Sequence, residues 1–316
     1  MLLAVEFRSH SAIALYIKKN YNFQVIRVPL PFSFCNTTQN EKLDEVLKTV
    51  VEITKDKAVL NYPAQNKVVI VDDSIFGKLK SLLNLETIYI SDSFSELLPL
   101  PDTASFLPFK MNLVELSNIR ANQNLIGSFF PMTPRDVVIQ AAIAKTIIRQ
   151  LGFYKESIPS ELLLCGPVFN LVPRPSQAVE IFLDGVDGSG ATYLYQDKAG
   201  VALPMAAASL KVVPGDFVAL GSIVIWPGPL TLELFFGGSV TPQKVALDDE
   251  NIARFPLREG QTVRVVGHGE KGDFEADLLG GEVGLVIDSR RRPITLPQTE
   301  SVRFKILKEY WGNLNK

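Results

Sequence analysis

The stretch LLGGEVGLVIDSRRRPITLP, residues 278–297, sets two glycines ahead of a strand-like apolar run, then one aspartate and three consecutive arginines. Glycines let backbone N–H groups approach an anion, and guanidinium forks match its oxygens, so these are the materials of a phosphate cradle. They are equally the materials of a β-hairpin, in which Gly280 and Gly281 make a close turn or bulge. The hairpin is the preferred reading. Strand side chains alternate, so Arg290 and Arg292 share a face with Asp288 while Arg291 opposes them. An exposed Asp288–arginine pair contributes only ~0–1 kcal/mol. At a solvated hairpin tip, Arg290, Arg291 and Arg292 are then the candidate contacts to a protein partner.

Other residues with chemical potential are scattered. The opening hairpin AVEFRSHSAIALY carries Glu6, Arg8 and Ser9 where a nucleotide site would need a carboxylate and a glycine turn. Arg8 and Ser9 fill the space a phosphate would occupy, so an ordinary hairpin is preferred, with the three residues at most a remnant. In LLLCGPVFN a strand runs into Gly166 and Pro167. Pro167 removes a backbone donor where a nucleotide would want one, so Gly166 reads as a degenerate remnant of a nucleotide contact. Asp72-Asp73 reads as the start of a helix capped by Ser74 rather than a metal site. Asp184 and Asp187, among Gly185, Gly188 and Gly190, resemble a calcium loop in composition but lack its later bidentate glutamate, and read as a glycine-rich turn. His10 and His268 have no nucleophile at a recognised spacing, and His268 is expected in an exposed β-turn. Cys35 and Cys165 lie far apart, which argues against a disulfide framework and for a reducing cytoplasm; Cys165 reads as a core residue. No complete catalytic set emerges, so the expectation is a non-enzymatic protein with no cofactor and no metal.

The totals fit that picture. The chain has 316 residues, 47% of them hydrophobic and 21% charged, with a formal net charge of -2. It is long enough for two domains and lacks the basic excess of a general nucleic-acid binder. The most membrane-like segment, residues 219–238, is broken by Pro227-Gly228-Pro229 and interrupted by Glu233, so it reads as two strands and not a transmembrane helix.

The elements follow from periodicity. LLAVEF, SAIALYIKK and FQVIRVPL read as strands, as do KVVIVDD and TIYISD, with helices expected between and after them. Residues 99–130 show no clean period and read as loop with short pieces of structure. TPRDVVIQAAIAKTIIRQLG is the clearest helix: Thr133 and Asp136 form a capping box, and Gly152 ends it. Its expected apolar face is Val137, Ala141, Ala144, Ile148 and Leu151. ELLLCGP is a buried strand, a second helix starts at Ser176, and TYLYQD is a strand. Between residues 210 and 297 short apolar runs alternate with Gly, Pro and Asp turns, the texture of an all-β barrel or sandwich. The chain thus divides into an α/β domain over residues 1–210 and an all-β domain over 211–316, ending in a strand or a short helix.

Two blocks resemble a known family. PSELLLCGP, PSQAVEIFLDG, TYLYQD and GVALPMAAAS resemble the closing segment of the MutL-like proteins that accompany glutamate mutase. PLREGQTVRV, GGEVGLVIDSRRRPITLP, Arg303 and Trp311 resemble the β-module of that family's longer members, whose pattern reads GGxLGLVIDxRGRPLxLP. The match covers roughly the second half of the chain and is specific in its last hundred residues, and the chain is read as beginning midway through the usual family length. The resemblance implies an actin-like, ribonuclease-H-type α/β core with an appended β-domain. It also implies an accessory role beside a cobalamin-dependent mutase, as a reactivating or assembly factor. Two departures bear on activity: the phosphate-binding glycines are absent near Glu6, and the family's Gly-Gly has become Gly166-Pro167. The resulting expectation is a degenerate scaffold that binds a protein partner through its β-domain. Its alternatives are an ATP-dependent reactivating chaperone and a structural subunit of a larger assembly.

Overall fold

The computed structural model describes residues 2–7, 11–17, 23–29, 67–71, 86–89, 99–125, 133–152, 154–207 and 214–315. Arg8, Ser9, His10, Cys35, Asp72, Asp73 and the two helices expected before residue 86 lie outside them.

Three apolar runs make the first sheet: β1 (Leu2–Phe7), β2 (Ser11–Ile17) and β3 (Phe23–Pro29). They form an antiparallel meander, and β4 (Lys67–Val71) joins β1 in parallel, for an order β3-β2-β1-β4.

A second sheet has six strands, in the order β11-β14-β8-β7-β6-β5. β5 (Glu86–Tyr89), β6 (Glu161–Cys165) and β7 (Gly190–Gln196) run parallel to one another. β8 (Val218–Ile225) is antiparallel to β7, and β14 (Leu285–Asp288) runs parallel to β8. β11 (Ile252–Phe255) closes that side. The sheet is therefore continuous across residue 210 and takes strands from both parts of the chain. A third sheet, in the order β10-β9-β12-β13, is built from β9 (Leu230–Phe236), β10 (Gln243–Leu247), β12 (Thr262–Gly269) and β13 (Gly272–Leu279). It is open rather than a closed barrel. His268 lies within strand β12 rather than in a turn, exposed, with Nδ1 2.9 Å from Asp273 Oδ1.

Among the described residues, two buried clusters pack against the second and third sheets. One face of the six-stranded sheet, with Leu162, Leu164, Leu194, Ile223 and Val286, packs against helices α3 (Pro134–Leu151) and α5 (Pro175–Gly185). Its other face, with Val224, Leu285 and Ile287, packs on Leu232, Leu234, Val263 and Val265 of the third sheet. Each such side chain, fully removed from water, contributes ~1.5–3 kcal/mol. β14 reads as a continuous apolar run, Leu285 to Ile287, because a central strand is covered on both faces, and all four of its residues, Asp288 included, are buried.

Residues 99–130 contain more helix than their period announces. α1 (Leu100–Ser105) is short, but α2 (Leu113–Leu125) runs for 13 residues. α4 (Pro167–Leu171) and α6 (Ala202–Ala207) are brief, and the chain's last element is helix α7 (Glu300–Asn315), not a strand. Among the described residues no helix is long and apolar enough to cross a membrane, and residues 219–238 form β8, a turn and β9.

α3 follows its local signals. Thr133 Oγ1 accepts from the Asp136 N–H at 3.2 Å, Asp136 Oδ2 accepts from the Thr133 N–H at 2.9 Å, and Gly152 is left-handed at φ 62°. Val137, Ala141, Ala144 and Ile148 are buried, but Leu151 is 47% exposed at the helix end. Ile139, Ala142, Ile143, Lys145, Thr146 and Ile147 are buried as well, so the helix is enclosed on nearly all sides. Thr133→Ala removes one half of the reciprocal cap and is expected to lower stability by about 1 kcal/mol. Urea denaturation with an unchanged m-value checks this.

Candidate functional site

Five segments converge on the arginine triplet. β14 ends in Asp288, and the chain continues through Ser289 to Arg292. Ser289 Oγ donates to the carbonyls of Asp248 and Asn251, and its carbonyl accepts from the Gly228 N–H at 2.9 Å. Arg290 therefore points inward from a fixed backbone. Its Nε reaches Asp288 Oδ1 at 2.9 Å, Nη2 reaches Asp288 Oδ2 at 2.7 Å, and Nη1 reaches Asp184 Oδ1 on α5 at 2.7 Å. Its guanidinium also stacks on the ring of Tyr310 from α7, 4.6 Å from the centroid. Arg292 donates through Nη2 to Asp288 Oδ2 and through Nη1 to the carbonyl of Leu183 at 2.6 Å. A cation on the last carbonyls of α5 is favourably placed on the helix dipole.

The network extends to α3. The Lys145 ammonium is bonded to Glu180 Oε1 and lies 2.8 Å from Asp184 Oδ2, so the two carboxylates, one helical turn apart on α5, share it. Arg149, one turn further along α3, donates to the carbonyl of Ile294 at 2.6 Å. Lys145, Glu180, Asp184, Asp288 and Arg290 are each at most 3% exposed. Three cations thus face three carboxylates, and the charges balance.

The expected facing of the triplet holds: Arg290 and Arg292 lie with Asp288, and Arg291 points away to Asp249 Oδ2 at 2.7 Å. The expected solvation does not. Arg290 and Arg292 are only 4% exposed in their side chains, against 68% for Arg291. The structural reason is that α5 and α7 close over the tip, turning a solvent pair into an interior one. Asp184 likewise belongs to the end of α5 and this cluster, not to a glycine turn.

Burial sets the electrostatics. Burial works against the Arg290 charge, but Asp288 and Asp184 outweigh it and hold the guanidinium protonated well above its ordinary range. Arg292 is lowered, chiefly by burial, against the attraction of Asp288. Burial opposes the Asp184 charge too, yet Lys145 and Arg290 together keep its carboxyl below the usual carboxylate range. Burial pushes Glu180 up to about 7, because its share of one ammonium does not offset the desolvation. Lys145 stays above its ordinary value, since Asp184 and Glu180 overcome the burial that lowers it.

These groups are committed to each other, so the cluster cannot present an open fork to phosphate. Beside it, Arg291, Asp249, Glu250, Tyr310, Ile294 and Ile306 line a cavity of about 240 Å³. No group of three or more His, Cys, Asp or Glu side chains suited to a metal occurs among the described residues.

The other candidate residues lie apart from this cluster. Glu6 sits in β1, opposite Ile13 of β2 and Val71 of β4. Gly166 follows β6 in the six-stranded sheet as the N-cap of α4, at φ 106°, a conformation that favours glycine. Cys165 is buried, as expected. Sequence reasoning missed Lys145, Glu180 and Tyr310. The available signal was a lone charge inside an apolar helix, as in AAIAKTII and AVEIFLD, which marks a buried charge awaiting a partner. Comparison of the chain with protein-family models, with curated proteins and with solved structures finds no match.

Proposed function

We propose that the chain is a non-catalytic, actin-like scaffold or accessory protein that engages a protein partner through its β-rich C-terminal part. The actin-like reading is supported by the first sheet, an antiparallel meander joined in parallel by β4 next to β1. The observation that carries the partner reading is the outer face of the third sheet. Its inner face is core, while outward lie Phe235, Val266 and Leu279 among Glu233, Lys244, Arg264 and Glu275. Leu279 is 46% exposed, and apolar side chains set in a charged surround resemble a recognition surface. Arg291 is the one arginine of the triplet available to a partner.

A tagged chain captures its partner from native cells, identified by mass spectrometry. Phe235→Lys with Leu279→Lys should weaken that capture at least tenfold, about 1.4 kcal/mol or more, as loss of central apolar contacts does. Unchanged capture by a folded double variant removes the surface from the reading. Micromolar ATP binding with turnover, in a calorimetric titration with magnesium, overturns the non-catalytic part. It would favour the second reading, an ATP-driven reactivator of a cobalamin-dependent mutase, for which Glu6 in β1 is the carboxylate to test by Glu6→Gln.

A further inference from the structure

Glu180 and Asp184 differ in their company although they are neighbours on α5. Asp184 has two cations, Lys145 and Arg290, one on each oxygen. Glu180 accepts from Lys145 alone among the described residues, and must share that ammonium with Asp184. Both carboxylates are buried, so their mutual repulsion is little screened. Of two carboxylates competing for one cation in a dry site, the less well paired takes a proton first.

We propose that Glu180 is a proton-operated joint between α3 and α5, whose protonation state sets how firmly the two helices are held together. The groups facing it are Lys145 from α3, Asp184 from its own helix, and Arg290 from the segment after β14, which is itself held by Asp288 and stacked on Tyr310 of α7. The proton comes from solvent: an O–H bond of hydronium breaks as the Glu180 O–H forms, and Lys145 keeps its own protons. The Lys145 ammonium then has Asp184 as the charged carboxylate it faces on α5. The repulsion between Glu180 and Asp184 is relieved, and the buried carboxylate is no longer charged.

The direction of the effect follows. Glu180 binds its proton more tightly folded than unfolded, so its stabilising contribution is whole below its unfolded value of 4.5 and is lost as pH rises through about 7. Asp184 acts in the opposite sense, with its contribution lost only as pH falls below its ordinary range, and Lys145 titrates above its own. Within this cluster the neutral window therefore belongs to Glu180.

Uniformly carbon-13-labelled full chain, titrated from pH 5 to 9, reports each glutamate carboxyl by NMR, where the histidines do not appear. One glutamate resonance with a midpoint near 7, absent from Glu180→Gln, is expected. The denaturation midpoint of the wild type should fall across the same window, and that of Glu180→Gln should stay level. If Glu180→Gln fails to fold, the wild-type spectrum decides alone: a single outlying glutamate near neutrality supports the joint. A full set of glutamates titrating below pH 6, or parallel stability curves for wild type and variant, overturns it.

Discussion

Arg290→Ala unfolds far more readily than the wild type, with a loss of about 3–5 kcal/mol, the cost of breaking a buried ion pair from one side. The side chain itself is modest; what it leaves behind is not. Asp288 keeps Arg292, and Asp184 keeps Lys145, but three buried carboxylates then face two cations. The stacking on Tyr310 disappears as well. Guanidinium denaturation of Arg290→Ala beside Arg291→Ala measures the contrast. Arg291 is exposed and pairs with a half-exposed Asp249, so its removal should leave the midpoint within measurement error. Equal losses at the two positions would show that the triplet acts as a surface unit and not as an interior brace.

Gly221→Ala is the other severe change. Gly221 interrupts β8 at φ 119°, and a Cβ there would stand 2.1 Å from the carbonyl oxygen of Gly284. Gly281 approaches the same backbone from the other side: its Cβ would meet the Gly221 nitrogen at 2.5 Å and the Ala219 oxygen at 2.6 Å. Here the loop before β14 is hydrogen-bonded along β8, Glu282 and Val283 donating to the carbonyls of Ala219 and Leu220. Neither partner is a side chain that can swing aside. Backbone strain and overpacking together should lower stability by about 3–5 kcal/mol. Gly312, on α7 with open space around it, gives the control: Gly312→Ala should raise helix stability by about 0.5–1 kcal/mol. A tolerated Gly221→Ala, with its denaturation midpoint unchanged, would mean that β8 and the 281–284 segment do not lie so close.

The contrast between local and distant information explains what the sequence made legible. The cap of α3 was readable because Thr133, Asp136 and Gly152 act within one helix. The alternation that sets Arg290 and Arg292 against Arg291 was readable because it is a property of any extended chain. Their burial was not, because Arg290 meets Asp184 across 106 residues and Lys145 meets Glu180 across 35. No window of sequence contains both ends of either pair. α2 escaped notice because its exposed Leu113 and Val114 leave no clean apolar stripe to count.

The order of strands in the six-stranded sheet has a consequence for how the protein is made. β14, the last strand among the described residues, lies between β8 and β11, both synthesised before it. A ribosome therefore extrudes β8 with one side unpaired, and that edge stays open while more than fifty further residues emerge. β9 to β13 can meanwhile pair among themselves through β9, β10, β12 and β13, but the sheet beneath them cannot close until Asp288 leaves the tunnel. Late closure of a central strand leaves an unpaired strand edge exposed during synthesis, where edge-to-edge association competes with folding.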